Sequence, residues 1–192
     1  MADGFTAPLT AGNFVDLSRR GFYTGLSVRE KPKRVGDIGM NLPLLGSFND
    51  GFNDPFTAKL RTIPLEIIDS NKKMTYGTGT RSSSSPSDAT LSLLSPAHPS
   101  YVSLQSPAVV AFNHPDRKRN GGSSEFFFLT KQTLPLGPAM DGNYAPFGFI
   151  VDGFDLANDL RPGDVISSTT VDEWGLAGLE KKEVEFSEFR CG

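Results

Sequence analysis

The chain has 192 residues, of which 38% are hydrophobic, 10% aromatic and 21% charged, the composition of a globular domain with a sizeable core rather than of a disordered segment. Nineteen basic against 22 acidic residues leave a net charge of −3, so no global field draws the chain to nucleic acid or to an anionic membrane. No run of about 18 apolar residues is available to span a bilayer, no charged-then-apolar leader opens the chain, and one cysteine, Cys191, with two histidines, His98 and His114, offers neither a disulfide nor a Cys/His metal site.

In chain order, residues 8–21 predict the first helix. Thr10 is placed to cap it, Phe14, Val15 and Leu17 to face a core, Arg19 and Arg20 to complement the dipole, and Gly21 to stop it. Residues 22–28 read as a turn into a short strand. Residues 29–58 are rich in Pro, Gly, Asn and Asp and read mostly as loop. Alternation over residues 60–68 suits a half-buried strand, which Pro64 pushes toward an edge or a bulge. Residues 77–100 carry Ser82 to Ser85, Pro86, Pro96 and Pro99. They read as a surface insertion, because so polar a stretch buries too little to offset its ordering entropy.

Strand signals resume at residues 108–112, 125–130, 147–151 and 164–171, with a second short helix over residues 154–160 ended by Pro162 and Gly163. A final alternation of Val184, Phe186 and Phe189 against Glu185, Ser187 and Glu188 closes the chain as a strand. Many short strands with two helices predict a mainly β fold, a closed antiparallel barrel capped by the helices, in one domain over residues 1–192. The basic runs at residues 29–34 and 117–119 have no interleaved aromatics and read as solvated loops rather than nucleic-acid patches. The serine run lacks a nucleophile elbow, and Asn120-Gly121-Gly122 lacks the Lys-Ser/Thr pair of a phosphate loop.

The segments TAGNFVDLSRRGFYTG, SSEFFFL, MDGNYAPFGFIVDG and DLRPGDVI, in that order, resemble the cyclophilin family over most of the chain, residues 69–106 excepted. The insertion, FNDPFTAKLRTIPLEI and the LTAGNFVDL helix resemble most the divergent thylakoid-lumen branch of plants and algae, whose members act in assembly and maintenance of photosystem II. The family opens with a strand hairpin of which residues 1–5 match only the end, so the resemblance implies an N-terminally longer protein.

The resemblance also implies a reaction, rotation about the bond preceding proline, whose barrier is roughly 18–20 kcal/mol. The family uses an arginine that donates to the prolyl nitrogen above a greasy ring pocket, and no cofactor or metal. Its Phe-His-Arg falls on Val28, Arg29 and Glu30, so a carboxylate that cannot donate occupies the arginine position. Arg29 is adjacent, and because neighbouring strand residues face opposite ways it substitutes only if a slip or bulge re-aims it. Val35, Gly36, Asp37 and Ile38 replace Phe-Met-x-Gln. Ala111, Phe112 and Asn113 keep the backbone-binding asparagine but put a phenylalanine where a small residue admits the peptide. Glu125 replaces a glutamine, Phe127 keeps the pocket floor, Met140 offers an apolar wall, and Tyr144 stands for a histidine. Phe112, Asn113, Glu125, Phe127, Met140 and Tyr144 are thus the candidate peptide contacts, with ordinary core or rim as the alternative for Phe127, Met140 and Tyr144.

The resulting expectation is a divergent cyclophilin-like module with weak or no isomerase activity. Its implied setting is the thylakoid lumen and its implied partners are lumenal parts of photosystem complexes, without nucleic acid or a membrane span. The alternatives are an active isomerase assisting folding and a permanent structural subunit of a photosynthetic complex.

Overall fold

The computed structural model describes residues 1–35, 38–46, 51–68, 73–77, 104–115 and 118–172, leaving aside the side chains of residues 30–42 and 139. The insertion beyond Gly77, the strand expected at residues 184–189, His98 and Cys191 lie outside the described residues.

Helix α1 spans Pro8–Arg19, with proline in its first turn, where a missing N–H costs nothing. That proline starts the helix earlier than Thr10, which corrects the expected cap: the N-cap is Ala7, which has no capping side chain. The cap comes instead from a distant acid, Glu66. One of its oxygens accepts from the Leu9 N–H at 3.0 Å, and the other accepts from the Thr10 N–H and hydroxyl at 2.6 and 2.7 Å. Glu66 is fully buried, and a carboxylate there also complements the helix dipole. The inner face of α1 carries Ala11, Asn13 and Leu17, while Phe14 packs its ring against Tyr23, Phe126 and Phe147. Val15, expected in the core, is only half-buried.

Strands β1 (Arg29–Val35) and β2 (Ile38–Leu45) form an antiparallel hairpin where a loop is expected from sequence. Two prolines obscure it. Pro32 sits on the edge strand, and Pro43 precedes the two residues, Leu44 and Leu45, through which β2 pairs onward, so neither missing N–H interrupts that onward pairing. A second hairpin joins β3 (Glu66–Ile68) to β4 (Met74–Tyr76). The strand expected over residues 60–68 is therefore short; before Pro64 only isolated bridges form, Asn53 to Leu60 and Ile63 to Gly122.

Strands β5 (Val109–Phe112), β6 (Phe126–Phe128) and β7 (Ala145–Phe149) complete an antiparallel sheet ordered β1-β2-β6-β5-β7. Residues 1–3 extend it on β7, with the Asp3 N–H donating to Phe147 at 2.6 Å and the Phe149 N–H donating to Met1 at 2.8 Å. Gly148 permits that approach, since a Cβ there would lie 2.4 Å from the Met1 carbonyl oxygen. The strand expected over residues 164–171 reduces to a bridge between Ser27 and Val165, flanked by backbone bonds from Val28 to Asp164 and from Ile166 to Leu26. A 3-10 turn at Leu134–Leu136 leads into a short α2 (Gly137–Met140), and α3 spans Phe154–Asp159. The architecture is mainly β with helices α1 and α3 as expected; among the described residues the sheet remains open.

Alternation splits the apolar residues between the two faces of this sheet. Leu45, Val110, Phe112, Phe126 and Phe147 pack with Leu17 and Tyr23 in the larger cluster. Leu44, Val109, Ala111 and Phe127 pack on the other side with Leu136, Met140 and Tyr144. A register shift between Val110 and Ala111 gives β7 one extra residue, so Ala145 joins the first cluster and Phe149 the second.

Candidate peptide site

The second face of the sheet is where the candidate residues meet. Cross-strand pairing places Arg29 opposite Leu44, Leu44 opposite Phe127, and Phe127 opposite Ala111, a row of four residues sharing one face. Arg29 is therefore on the face of Phe127. This corrects the expectation from adjacency that Arg29 points away: its parity is fixed by pairing with β2, and no bulge is needed. Glu30 takes the alternate register position, opposite Pro43.

Glu125 precedes Phe127 by two residues and is buried beside the same row. One carboxylate oxygen accepts from the Arg29 guanidinium, and the other accepts from Asn113 Nδ2 at 2.6 Å. The Asn113 N–H also donates to the Glu125 carbonyl at 2.8 Å. Because a carboxylate only accepts, it fixes the Asn113 amide with nitrogen inward, and Asn113 Oδ1 is left buried without a partner. Asn113 and Glu125, with His114, Pro115, Gly121, Ser123 and Ser124, line a small cleft.

Phe127, the expected pocket floor, has no exposed surface. Leu44, Met140 and Tyr144 share its apolar cluster, the Tyr144 ring meeting it edge-on at 5.4 Å. Met140 and Tyr144 are themselves buried. Phe112 does not share this site. It lies on the opposite face against Phe147, at 5.9 Å between ring centres, so it fills the core rather than the groove. His114 stacks on Tyr144 at 4.6 Å; its Nε2 lies 2.9 Å from the Asn143 carbonyl oxygen and its Nδ1 3.0 Å from that of Pro115. Its place directly after Asn113 was the available signal. Leu44 had none, because its role depends on a hairpin hidden by prolines.

No cluster able to hold a metal ion occurs among the described residues. What the arrangement offers is a guanidinium on the Phe127 face, a buried acid that binds it, and a buried aromatic floor.

Comparison with known proteins names this arrangement. The family model described as cyclophilin type peptidyl-prolyl cis-trans isomerase/CLD matches residues 3–174. The chain belongs to the cyclophilin family. This cyclophilin is 34% identical over 183 residues to the chloroplastic peptidyl-prolyl cis-trans isomerase CYP38 of Arabidopsis thaliana, covering 93% of the chain and 38% of that relative. It is 38% identical over 176 residues to a putative thylakoid lumen peptidyl-prolyl cis-trans isomerase of Synechocystis sp., covering 89% of the chain and 43% of that relative. The chain thus spans about two fifths of the length of these curated relatives. A crystal structure of a cyclophilin from Hirschia baltica aligns at 15% identity with a TM-score of 0.49, covering 88% of this chain and 67% of the other.

Proposed function

We propose that this cyclophilin domain is a protein-binding module of the thylakoid lumen with weak or no prolyl isomerase activity, serving the assembly or stability of photosynthetic membrane complexes. The compartment follows the relatives, one named as chloroplastic and one as a thylakoid lumen protein. The observation that carries the catalytic part is the buried floor: Phe127 has no exposed surface and shares a buried apolar cluster with Met140 and Tyr144, so a proline ring finds no open seat on it. Isomerisation requires interactions stronger in the twisted state than in the ground state, and a seat that must first be opened spends binding energy before any such interaction forms.

Binding on this reading uses surfaces outside the groove. The β1–β2 hairpin and the insertion over residues 77–100 are the candidates, since loops on a rigid scaffold can vary without disturbing the core. The closed barrel of the family belongs to the same reading: the outer edge of β7 is already occupied by residues 1–3, and β3 lies against β7.

The test is a proline-isomerisation assay on the full-length protein. A rate only slightly above the uncatalysed one is expected. A robust rate that disappears in Arg29→Lys, which keeps the charge pair but not the forked geometry, overturns the reading in favour of an active isomerase. That second reading has one observation in its favour, the position of Arg29 on the Phe127 face.

A further inference from the structure

The Arg29–Glu125 pair does more than join two strands. We infer that Glu125 is a silencing residue: its buried carboxylate neutralises Arg29, the one guanidinium described on the Phe127 face, and so suppresses the residual isomerase chemistry of the site. The inference rests on the reading above, that the domain is a weak isomerase, and assigns part of that weakness to a particular side chain.

The geometry is asymmetric. The Glu125 side chain keeps 3% of its surface exposed and the Arg29 side chain 38%, so the acid is fixed from inside the sheet while the base reaches in from its rim. Asn113 Nδ2 holds the second carboxylate oxygen, so the acid is anchored independently of Arg29. A guanidinium promotes rotation about the prolyl bond by donating to a nitrogen that gains basicity in the twisted state. Paired with a buried carboxylate, it presents little net field toward the Phe127 face and has a donor engaged. A neutral amide at residue 125 keeps one acceptor oxygen for Arg29, turns its NH2 toward Asn113, whose amide then offers Oδ1, and cancels no charge. The burial of Phe127 is untouched by this exchange, so its effect falls on turnover rather than on substrate affinity.

The experiment compares the wild type with Glu125→Gln and the double variant Glu125→Gln/Arg29→Ala, in the full-length protein on a proline-containing tetrapeptide. Nitrogen-15 NMR of the Arg29 guanidinium is recorded alongside. Glu125→Gln is expected to raise kcat about tenfold at unchanged KM, a modest share of what a preorganised donor contributes. Its guanidinium nitrogens should exchange faster by rotation than in the wild type. The double variant should lose the gain. A Glu125→Gln rate equal to the wild type, or a gain that survives loss of Arg29, overturns the proposal. Should Glu125→Gln not fold, Glu125→Ala carries the same two outcomes. A high wild-type rate would defeat the weak-isomerase reading, whereas the ratio of variant to wild type decides the silencing role by itself.

Discussion

At the scale of single residues, the two members of the Arg29–Glu125 pair are not equivalent. Removing Arg29 strands a carboxylate with 3% of its side chain exposed, whereas removing the Glu125 charge leaves a guanidinium that already reaches solvent. Breaking a buried pair from its exposed end costs about 3–5 kcal/mol, so Arg29→Ala should lower unfolding free energy by about 3 kcal/mol in urea. Glu125→Gln, which keeps an acceptor for one of the two donors, should lower it by less, about 1 kcal/mol. Equal losses would show that the pair is not buried as described. The identity of these residues was legible from sequence, but their orientation was not. Alternation assigns parity only relative to a chosen anchor, and the anchor chosen was the position of the family's arginine, Glu30. The partner that fixes parity is Leu44, in a segment whose prolines made it read as a loop.

At the scale of elements, the aromatic strands were the most readable part, because Phe126 to Phe128 and Val109 to Phe112 have the side chains that a buried pleat selects. The turn before β7 was less so: Pro135 and Pro138 stand in the first turns of the 3-10 segment and α2, a position that favours helix starts, in segments of only three and four residues. The connection between α1 and the loop after Gly51 depends on charge. Arg61 donates to Asp16 at 2.7 Å and to Asp54 at 3.3 Å, and its guanidinium lies 4.4 Å from the centre of the Phe52 ring. Burial alone would raise the Asp16 carboxyl, but hydrogen bonds from Arg61 and Arg20 outweigh it and hold Asp16 below its usual range. A carboxylate depressed in the folded state lends stability in full above its unfolded value, ordinarily near 3.8, and that stability is lost as pH falls through the folded value. Thermal melts should therefore show Asp16→Asn less stable than the wild type at pH 7, with the gap narrowing below about pH 3.5. A gap independent of pH would remove the charge network from the account.

At the scale of the whole molecule, one sheet separates two apolar clusters with different tasks. The cluster on the α1 side holds the fold together, and the other carries the family's site with its floor buried. The membership of the chain in its family was readable from motif order, while the state of the site was not, because the buried cluster around Phe127 gathers Leu44, Met140 and Tyr144 from separate segments. Convergence of this kind also governs how the molecule is made. Glu66 caps a helix residue that precedes it by 56 positions, so α1 gains its N-terminal acceptor only after the intervening chain has closed. The stabilisation then belongs to steps after the rate-limiting barrier. In stopped-flow chevrons Glu66→Gln should speed unfolding about fivefold and leave refolding nearly unchanged, the signature of an interaction absent from the transition state. The same slowed refolding as unfolding is hastened would instead place β3 and α1 together in the nucleus. A helix whose cap arrives last acts as a latch on the finished domain, setting how long it stays folded rather than how fast it forms.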